Sequence, residues 1–123
     1  MKTLIAVLSD PKGGEEAAGR LFNALSAAYD FKQNGREVKV VFQGTGTRWL
    51  EELAKSDNPF HGLFTLVKDK VEGVSCGCAD VFGGREGAEA CGVPVLTDNQ
   101  IPGTSGLPSF VKYTDEGYSI LSF

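Results

Sequence analysis

The apolar positions of the chain form short runs and periodic segments that predict strands and helices in alternation. Residues 4–8 are continuously apolar and residues 38–42 nearly so, which is typical of strands buried on both faces of a parallel sheet. Between these runs, apolar side chains recur at helical spacing from Ala17 to Tyr29, and Asn34-Gly35 provides a stop signal. The first 42 residues therefore predict a β–α–β unit.

The rest of the chain continues this alternation. Asn58-Pro59 predicts a helix start, and the spacing of the apolar residues that follow extends this helix to Val71. The other predicted elements are a short helix around Trp49, a strand at 73–75, a glycine-broken helix at 79–91, a strand at 93–96, a helix around 107–114 and a strand at 118–123. Five strands alternating with helices predict a three-layer α/β/α sandwich with a mostly parallel five-stranded sheet, in a single domain spanning residues 1–123.

Charge and hydropathy exclude two classes of partner. The chain has 12 basic and 16 acidic side chains, a net charge of −4, and no cluster of lysine or arginine. Nucleic acid binding requires such a cluster to release counterions, so we expect no nucleic acid partner. No apolar stretch approaches the roughly 20 residues of a membrane span, so we also expect no membrane partner.

The chain has three cysteines, Cys76, Cys78 and Cys91. Secreted disulfide frameworks usually contain an even number of cysteines, so an odd number favours free thiols in a reducing cytoplasm. We therefore predict a cytoplasmic location.

The strongest candidate for chemistry is Cys76-Gly77-Cys78, which lies where the third predicted strand ends and a helix follows. A helix N-terminus carries partial positive charge and unpaired backbone N–H groups, and both favour a thiolate. We therefore predict a reactive Cys76, with Cys78 close enough to attack a modified Cys76. The alternative is that both are small buried hydrophobic residues, and an apolar-walled, buried Cys76 sulfur would favour that interpretation.

Other candidates have weaker support in the sequence. Cys91 lies beside Gly92 at a helix C-terminus, where the helix dipole opposes a thiolate, so a packing role is favoured. His61 is a candidate base for a cysteine–histidine pair, but its position in the first turn of a helix favours an ordinary surface residue. Zinc ligation by His61 and the three cysteines has suitable ligand types but unsuitable spacing. No glycine-rich loop matches a phosphate-binding or dinucleotide-binding motif, and we expect no cofactor and no metal.

The same segments resemble the DsrE/DsrF-like (sulfur relay) family. The resemblance is carried by a strand near the N-terminus, a helix ending in Asn34-Gly35 before residues 37–42, the cysteine at Val74-Ser-Cys76, and the ending from Asp115 to Phe123. It implies that Cys76 holds sulfane sulfur as a persulfide, that sulfur-donor and sulfur-acceptor proteins are the partners, and that the protein is a homo-oligomer, a trimer or hexamer. The role of Cys78 is implied less strongly.

Two hypotheses from different classes follow. In the first, the protein is a sulfur carrier or sulfurtransferase in which the amides of Gly77 and Cys78 and the helix N-terminus stabilise the Cys76 anion, and Cys78 resolves the persulfide as a disulfide. In the second, it is a non-catalytic oligomeric module that binds a small ligand or a protein in the cleft at the strand ends.

Overall fold

Five parallel strands form one sheet in the computed structural model, which describes residues 1–123. The spatial order of the strands is β4-β3-β2-β1-β5, and every pair of neighbours is parallel. The strands are β1 (Lys2–Val7), β2 (Glu37–Phe42), β3 (Val71–Ser75), β4 (Val95–Leu96) and β5 (Tyr118–Ser122). The only antiparallel contact is an isolated bridge between Asn99 and Leu107. The predicted parallel five-stranded sheet is confirmed.

Six α-helices and two 3₁₀ turns connect the strands. The helices are α1 (Gly14–Gln33), α2 (Trp49–Leu53), α3 (His61–Val67), α4 (Cys76–Phe82), α5 (Arg85–Ala90) and α6 (Phe110–Asp115). The 3₁₀ turns are Gly44–Arg48 and Lys68–Lys70. None of these helices is both long and apolar enough to cross a membrane. The predicted alternation of strands and helices, and with it the α/β class, is confirmed.

The two helical layers cover the sheet unequally. From β1 to β4 the chain moves across the sheet in one direction, so right-handed crossovers place α1 to α5 on one face, and the return to β5 places α6 on the other. The first face carries a cluster of 19 buried residues that includes Ile5 and Phe42. The second face carries a cluster of five buried residues, in which Tyr113 of α6 packs on Leu4 and Val41. The result is a three-layer sandwich with one thin outer layer.

Helix α3 is shorter than the sequence pattern predicts. It begins at His61 because the Asn58 side chain accepts a hydrogen bond from the Phe60 N–H at 2.8 Å, in a turn that precedes the helix. The helix ends at Val67 because the 3₁₀ turn follows, and Val71 is already the first residue of β3. The predicted extension to Val71 is wrong, since the apolar spacing continues past the point where the backbone changes direction.

The predicted helix at 79–91 is two helices. Its first part begins earlier, at Cys76, and the chain breaks between Phe82 and Arg85. Gly83 has a φ of 79°, which disfavours other residues, and a Cβ at Gly84 would approach Thr47 side-chain atoms to 2.5 Å. This double-glycine break separates α5 from α4 and places the first residue of α5, Arg85, within reach of α4 side chains. It is the feature that completes the site around Cys76.

Candidate functional site

Cys76 is the first residue of α4 and directly follows the carboxyl end of β3. Ser75 caps this helix, since its side-chain oxygen accepts a hydrogen bond from the Cys78 N–H at 3.4 Å. The Cys76 side chain is only 4% exposed, whereas Cys78 is partly exposed. The carboxyl ends of parallel strands are the usual place for reactive groups in such folds, and Cys76 occupies one of them.

The amides expected to stabilise a Cys76 anion are already engaged. The Gly77 N–H donates to the Gly106 carbonyl at 2.7 Å, and the Cys78 N–H donates to Ser75. Gly106 belongs to the 97–107 loop, which lies over the start of α4 so closely that a Cβ on Gly77 would come within 3.1 Å of Leu107. The positive charge next to the sulfur therefore comes from elsewhere.

That charge is Arg85, the first residue of α5. Its Nη2 donates to the Cys76 Sγ at 3.0 Å, and its Nε donates to the Asp80 Oδ1 at 2.8 Å. The second Asp80 oxygen accepts a hydrogen bond from the Ser105 hydroxyl at 2.6 Å. The buried Cys76 sulfur thus contacts a guanidinium rather than an apolar wall alone.

The hydrogen bonds of this network stabilise the charged forms of Asp80 and Arg85. The hydrogen bond from Arg85, followed by that from Ser105, holds the pKa of the Asp80 carboxyl below its usual value. The hydrogen bonds to Asp80 and then to Cys76 raise the pKa of Arg85 above its already high value. Asp80 is therefore an anion and Arg85 a cation at any physiological pH, so the Cys76 sulfur accepts its hydrogen bond from a charged donor.

Sequence reasoning missed Arg85 because it lies nine residues after Cys76 in a different helix. Helical periodicity relates residues three or four apart, but it does not show how a chain turns back after a double-glycine break. One signal was available: Arg85 is the only cation between Cys76 and Cys91.

A second arginine fixes the far end of α4. The Arg48 Nε donates to the Phe82 carbonyl at 2.8 Å, and its Nη1 lies 3.1 Å from the Asp10 carboxylate. An arginine at the last carbonyls of a helix satisfies acceptors that have no partner within the helix. The loops after β1 and β2 therefore both hold α4 in place at the carboxyl edge of the sheet.

Cys76 and Cys78 are both free thiols in the first turn of α4. Residues two apart on a helix point to different sides of it, and a disulfide needs its two Cβ atoms about 3.8 Å apart. A disulfide between them would require the first turn of α4 to unwind. The structure thus places the predicted pair together in the chain but on different sides of the helix.

The other two candidates lie together, away from Arg85. Cys91 is 9% exposed and its thiol donates to the Leu50 carbonyl at 3.4 Å, in agreement with a packing role. The His61 Nδ1 is hydrogen-bonded to the Leu53 carbonyl at 2.7 Å, and His61 and Cys91 line one cavity of about 320 Å³. His61 is therefore not the base of a pair with Cys76. No group of three histidine, cysteine or acidic side chains could hold a metal ion, so the zinc alternative gains no support.

Cys91 should react slowly with alkylating reagents in the folded protein. Burial raises the pKa of its thiol, and nearby Lys68 offsets only part of this effect, so the unreactive thiol form persists to more alkaline pH. Iodoacetamide labelling followed by peptide mass spectrometry should find Cys78 modified before Cys91 at neutral pH, and Cys91 fully modified only in urea. Equal labelling of the two residues in the folded protein would contradict this.

A polar cleft of about 400 Å³ lies next to the site at the same edge of the sheet. It is bordered by the loop after β1, by the 3₁₀ turn and α2, and by the C-terminal end of α4; its walls include Lys12, Arg48, Trp49, Glu51 and Phe82. Cys76 does not line it. The cleft and the cysteine are thus separate features connected by α4.

Comparison with known proteins relates the whole chain to one family. The family described as DsrE/DsrF-like matches residues 1–123, the whole chain. The chain is also 31% identical over 102 residues to "Uncharacterized protein MJ0733" of Methanocaldococcus jannaschii, a match that covers 82% of this chain and 78% of that protein. No solved structure matches the chain significantly.

Proposed function

This chain belongs to the DsrE/DsrF-like family, and on that premise we propose that it is a sulfur carrier or sulfurtransferase in which Cys76 holds sulfane sulfur as a persulfide. The observation that carries the proposal is the 3.0 Å hydrogen bond from Arg85 to the Cys76 sulfur. A neutral thiol is a weak acceptor, whereas a thiolate accepts a strong, charge-assisted hydrogen bond from a guanidinium, so this contact suits a cysteine that reacts as a thiolate. The family supports the sulfur-relay chemistry and the contact supports the choice of residue.

The proposed transfer exchanges one sulfur–sulfur bond for another. The Cys76 thiolate attacks the outer sulfur of a donor persulfide, the bond between the two donor sulfurs breaks, and its electron pair leaves on the donor as a thiolate. The proton of the outer sulfur stays with it. An acceptor thiolate then attacks the same sulfur, and the electron pair returns to the Cys76 Sγ. Neither step needs an external oxidant or reductant.

Access to Cys76 requires the 97–107 loop to move. The sulfur is buried, and the loop is held over it by the bond from Gly77 to Gly106 and by the bond from Ser105 to Asp80. The Ser105–Asp80 bond joins two exposed residues, which separate at low cost, whereas the Gly77–Gly106 bond joins two buried residues and must break as well. We propose that a donor or acceptor protein displaces this loop when it docks.

The direct test is to locate the transferred sulfur. The wild-type protein is incubated with a persulfide donor, digested and mapped by mass spectrometry after persulfide-specific labelling. A gain of one sulfur atom on Cys76 is expected, distinguished from Cys78 by fragmentation of the peptide that contains both. No gain, or a gain only on Cys78 or Cys91, would contradict the proposal.

Arg85→Met should slow sulfur loading near neutral pH by about tenfold, because the variant loses the charge-assisted hydrogen bond to the reacting sulfur. Arg20→Met is the matched control: Arg20 is similarly exposed and also pairs with a carboxylate, Glu16 of α1. Initial loading rates measured at several pH values give the comparison. A loading rate for Arg85→Met equal to that of Arg20→Met would show that Arg85 has no role.

The partners proposed with this function are sulfur-donor and sulfur-acceptor proteins in a reducing cytoplasm, and a second copy of the chain in a homotrimer or homohexamer. Three free cysteines and no disulfide support the reducing compartment. Family membership supports the oligomer. Light scattering coupled to size-exclusion chromatography would measure the number of subunits. A monomer at micromolar concentration would contradict the proposed homo-oligomer.

The second candidate function is a binding module that uses the cleft of about 400 Å³, because this cleft excludes Cys76. Its walls carry charges of both signs, which suit a small polar ligand. Under this alternative, Cys76→Ser leaves ligand binding intact and the wild-type protein takes up no sulfur. The sulfur-mapping experiment thus separates the two functions.

A further inference from the structure

Asp80 connects the two parts of the structure that control the Cys76 sulfur. One of its carboxylate oxygens binds Arg85, which contacts the sulfur, and the other binds Ser105 in the loop that covers it. We propose that Asp80 is a positioning residue: it holds the Arg85 guanidinium on Cys76 and, through Ser105, couples that contact to the closed position of the loop. This inference rests on the proposed function of Cys76 and extends it to the control of the same site.

The position of Asp80 on α4 makes this coupling possible. Asp80 lies four residues after Cys76 on the same helix, so the two side chains share a face. The glycine break returns the chain so that Arg85 meets both residues. Because the Nε of Arg85 is bound to Asp80, its Nη2 is directed at the sulfur. The guanidinium plane thus has a fixed orientation that a lysine could not reproduce.

Without the carboxylate, Arg85 has no other partner to hold it at the sulfur. Its side chain is 40% exposed, and its recorded contacts are those to Asp80 and Cys76. A long exposed side chain regains rotamer freedom and hydration when it leaves a weak acceptor such as sulfur. We therefore expect Arg85 to spend less time on Cys76 once the charge of Asp80 is removed.

The loop enters the same network through neighbouring residues. Ser105 donates to Asp80, and the next residue, Gly106, accepts the hydrogen bond from Gly77. The left-handed conformation of Gly106, with a φ of 103°, turns its carbonyl toward α4. Opening the loop breaks both bonds together and leaves the Asp80–Arg85 pair with one partner fewer.

The other charged groups around α4 do not replace this pair. Arg48 of the 3₁₀ turn lies at the opposite end of the helix and is paired with Asp10. Asp98 of the loop lies 3.7 Å from Lys112 of α6. Arg85 is therefore the charged side chain in contact with the Cys76 sulfur, and Asp80 is its partner.

The test measures the rate of Cys76 alkylation by iodoacetamide as a function of pH, with every variant made in a Cys78→Ser background so that Cys76 is the only thiol of the labelled peptide. Asp80→Asn should lower the ratio of the labelling rate near neutral pH to the plateau rate at high pH by about tenfold, because the Arg85 guanidinium is no longer held at the sulfur. Asp80→Glu should restore part of this ratio, since it keeps a carboxylate. Asp69→Asn is the matched control, because it removes the same charge from an exposed carboxylate that pairs with Lys32 before β3, at the end opposite Cys76, and should leave the profile unchanged.

Ser105→Ala tests the coupling to the loop. This variant keeps the Asp80–Arg85 pair, so the ratio of the neutral-pH rate to the plateau rate should stay close to that of the wild type, whereas the plateau rate itself should rise several-fold as the loop opens more often. Ser105 is exposed, so the variant should fold even if Asp80→Asn does not. A plateau rate equal to that of the wild type overturns the coupling.

A ratio of neutral-pH rate to plateau rate in Asp80→Asn equal to that in Asp69→Asn overturns the positioning role. Alkylation does not involve sulfur transfer. The experiment can therefore contradict the positioning role of Asp80 and the carrier function of Cys76 independently. A wild-type protein that shows the predicted profiles but takes up no sulfur contradicts the carrier function alone. Sulfur loading at Cys76 with identical profiles for all variants contradicts the positioning role alone.

Discussion

Cys76→Ser should abolish sulfur loading, whereas Cys78→Ser should load sulfur at close to the wild-type rate. Arg85 donates its hydrogen bond to the sulfur of Cys76 and not to that of Cys78, so the two thiols differ although they are two residues apart. The Cys78 side chain contributes nothing to the helix cap, which uses its backbone N–H. Serine is nearly isosteric with cysteine, so both variants should fold.

The measurement is the mass of the intact protein after incubation with a persulfide donor, compared among the wild type and the two serine variants. Loading of Cys76→Ser to the wild-type extent would show that Cys76 is not the acceptor. Loading of neither variant would indicate that both thiols are needed and that the first turn of α4 opens during the reaction.

The same variants test whether Cys78 resolves the persulfide. Resolution requires the Cys78 sulfur to attack the Cys76 sulfur and release sulfide, with a disulfide as the product. The helical geometry opposes this, so we expect loaded wild-type protein to release sulfide no faster than loaded Cys78→Ser. Faster release by the wild type, with an intramolecular disulfide, would assign Cys78 a catalytic role that depends on unwinding of the first turn.

Gly46→Ala should lower the free energy of unfolding by about 3 kcal/mol, near the upper end of overpacking effects. Gly46 lies in the 3₁₀ turn after β2, and a Cβ there would overlap the carbonyl oxygen of Val7 at the end of β1. That carbonyl accepts the Gln43 N–H at 2.9 Å, so it cannot move aside without loss of a backbone hydrogen bond between the ends of β1 and β2. The substitution therefore forces apart the strand ends that support the site.

Urea unfolding monitored by the fluorescence of Trp49, which is 3% exposed, would measure this loss. Gly19→Ala is the matched control, because a Cβ at Gly19 in α1 meets nothing within 4 Å. There the same change should stabilise the protein by about 0.5–1 kcal/mol through the lower backbone entropy of alanine in the unfolded chain. A Gly46→Ala variant as stable as Gly19→Ala would contradict the close approach between the 3₁₀ turn and β1.

The strand and helix pattern was predictable because it depends on burial that repeats locally. Residues 4–8 and the stop at Asn34-Gly35 correctly indicated β1 and α1, since an apolar run and a helix stop require no knowledge of distant residues. The predicted length of α3 was wrong because its end depends on contacts with distant residues. Val71 fits the helical spacing, but it pairs with Val40 of β2, and that pairing depends on the assembled sheet.

The candidate site also combines features that follow from the local sequence with features that depend on packing. The position of Cys76 at the junction of a strand and a helix followed from the order of residues alone, because strand ends and helix starts have local signals. The side chains around Cys76 did not follow from the order of residues. Arg85 reaches the site across a glycine break, and Ser105 reaches it from a long loop. A hydrogen bond between side chains of different elements depends on how those elements pack. The amino-acid order therefore specifies which thiol begins the helix, and the packing of α4 against α5 and the loop specifies which charge faces that thiol.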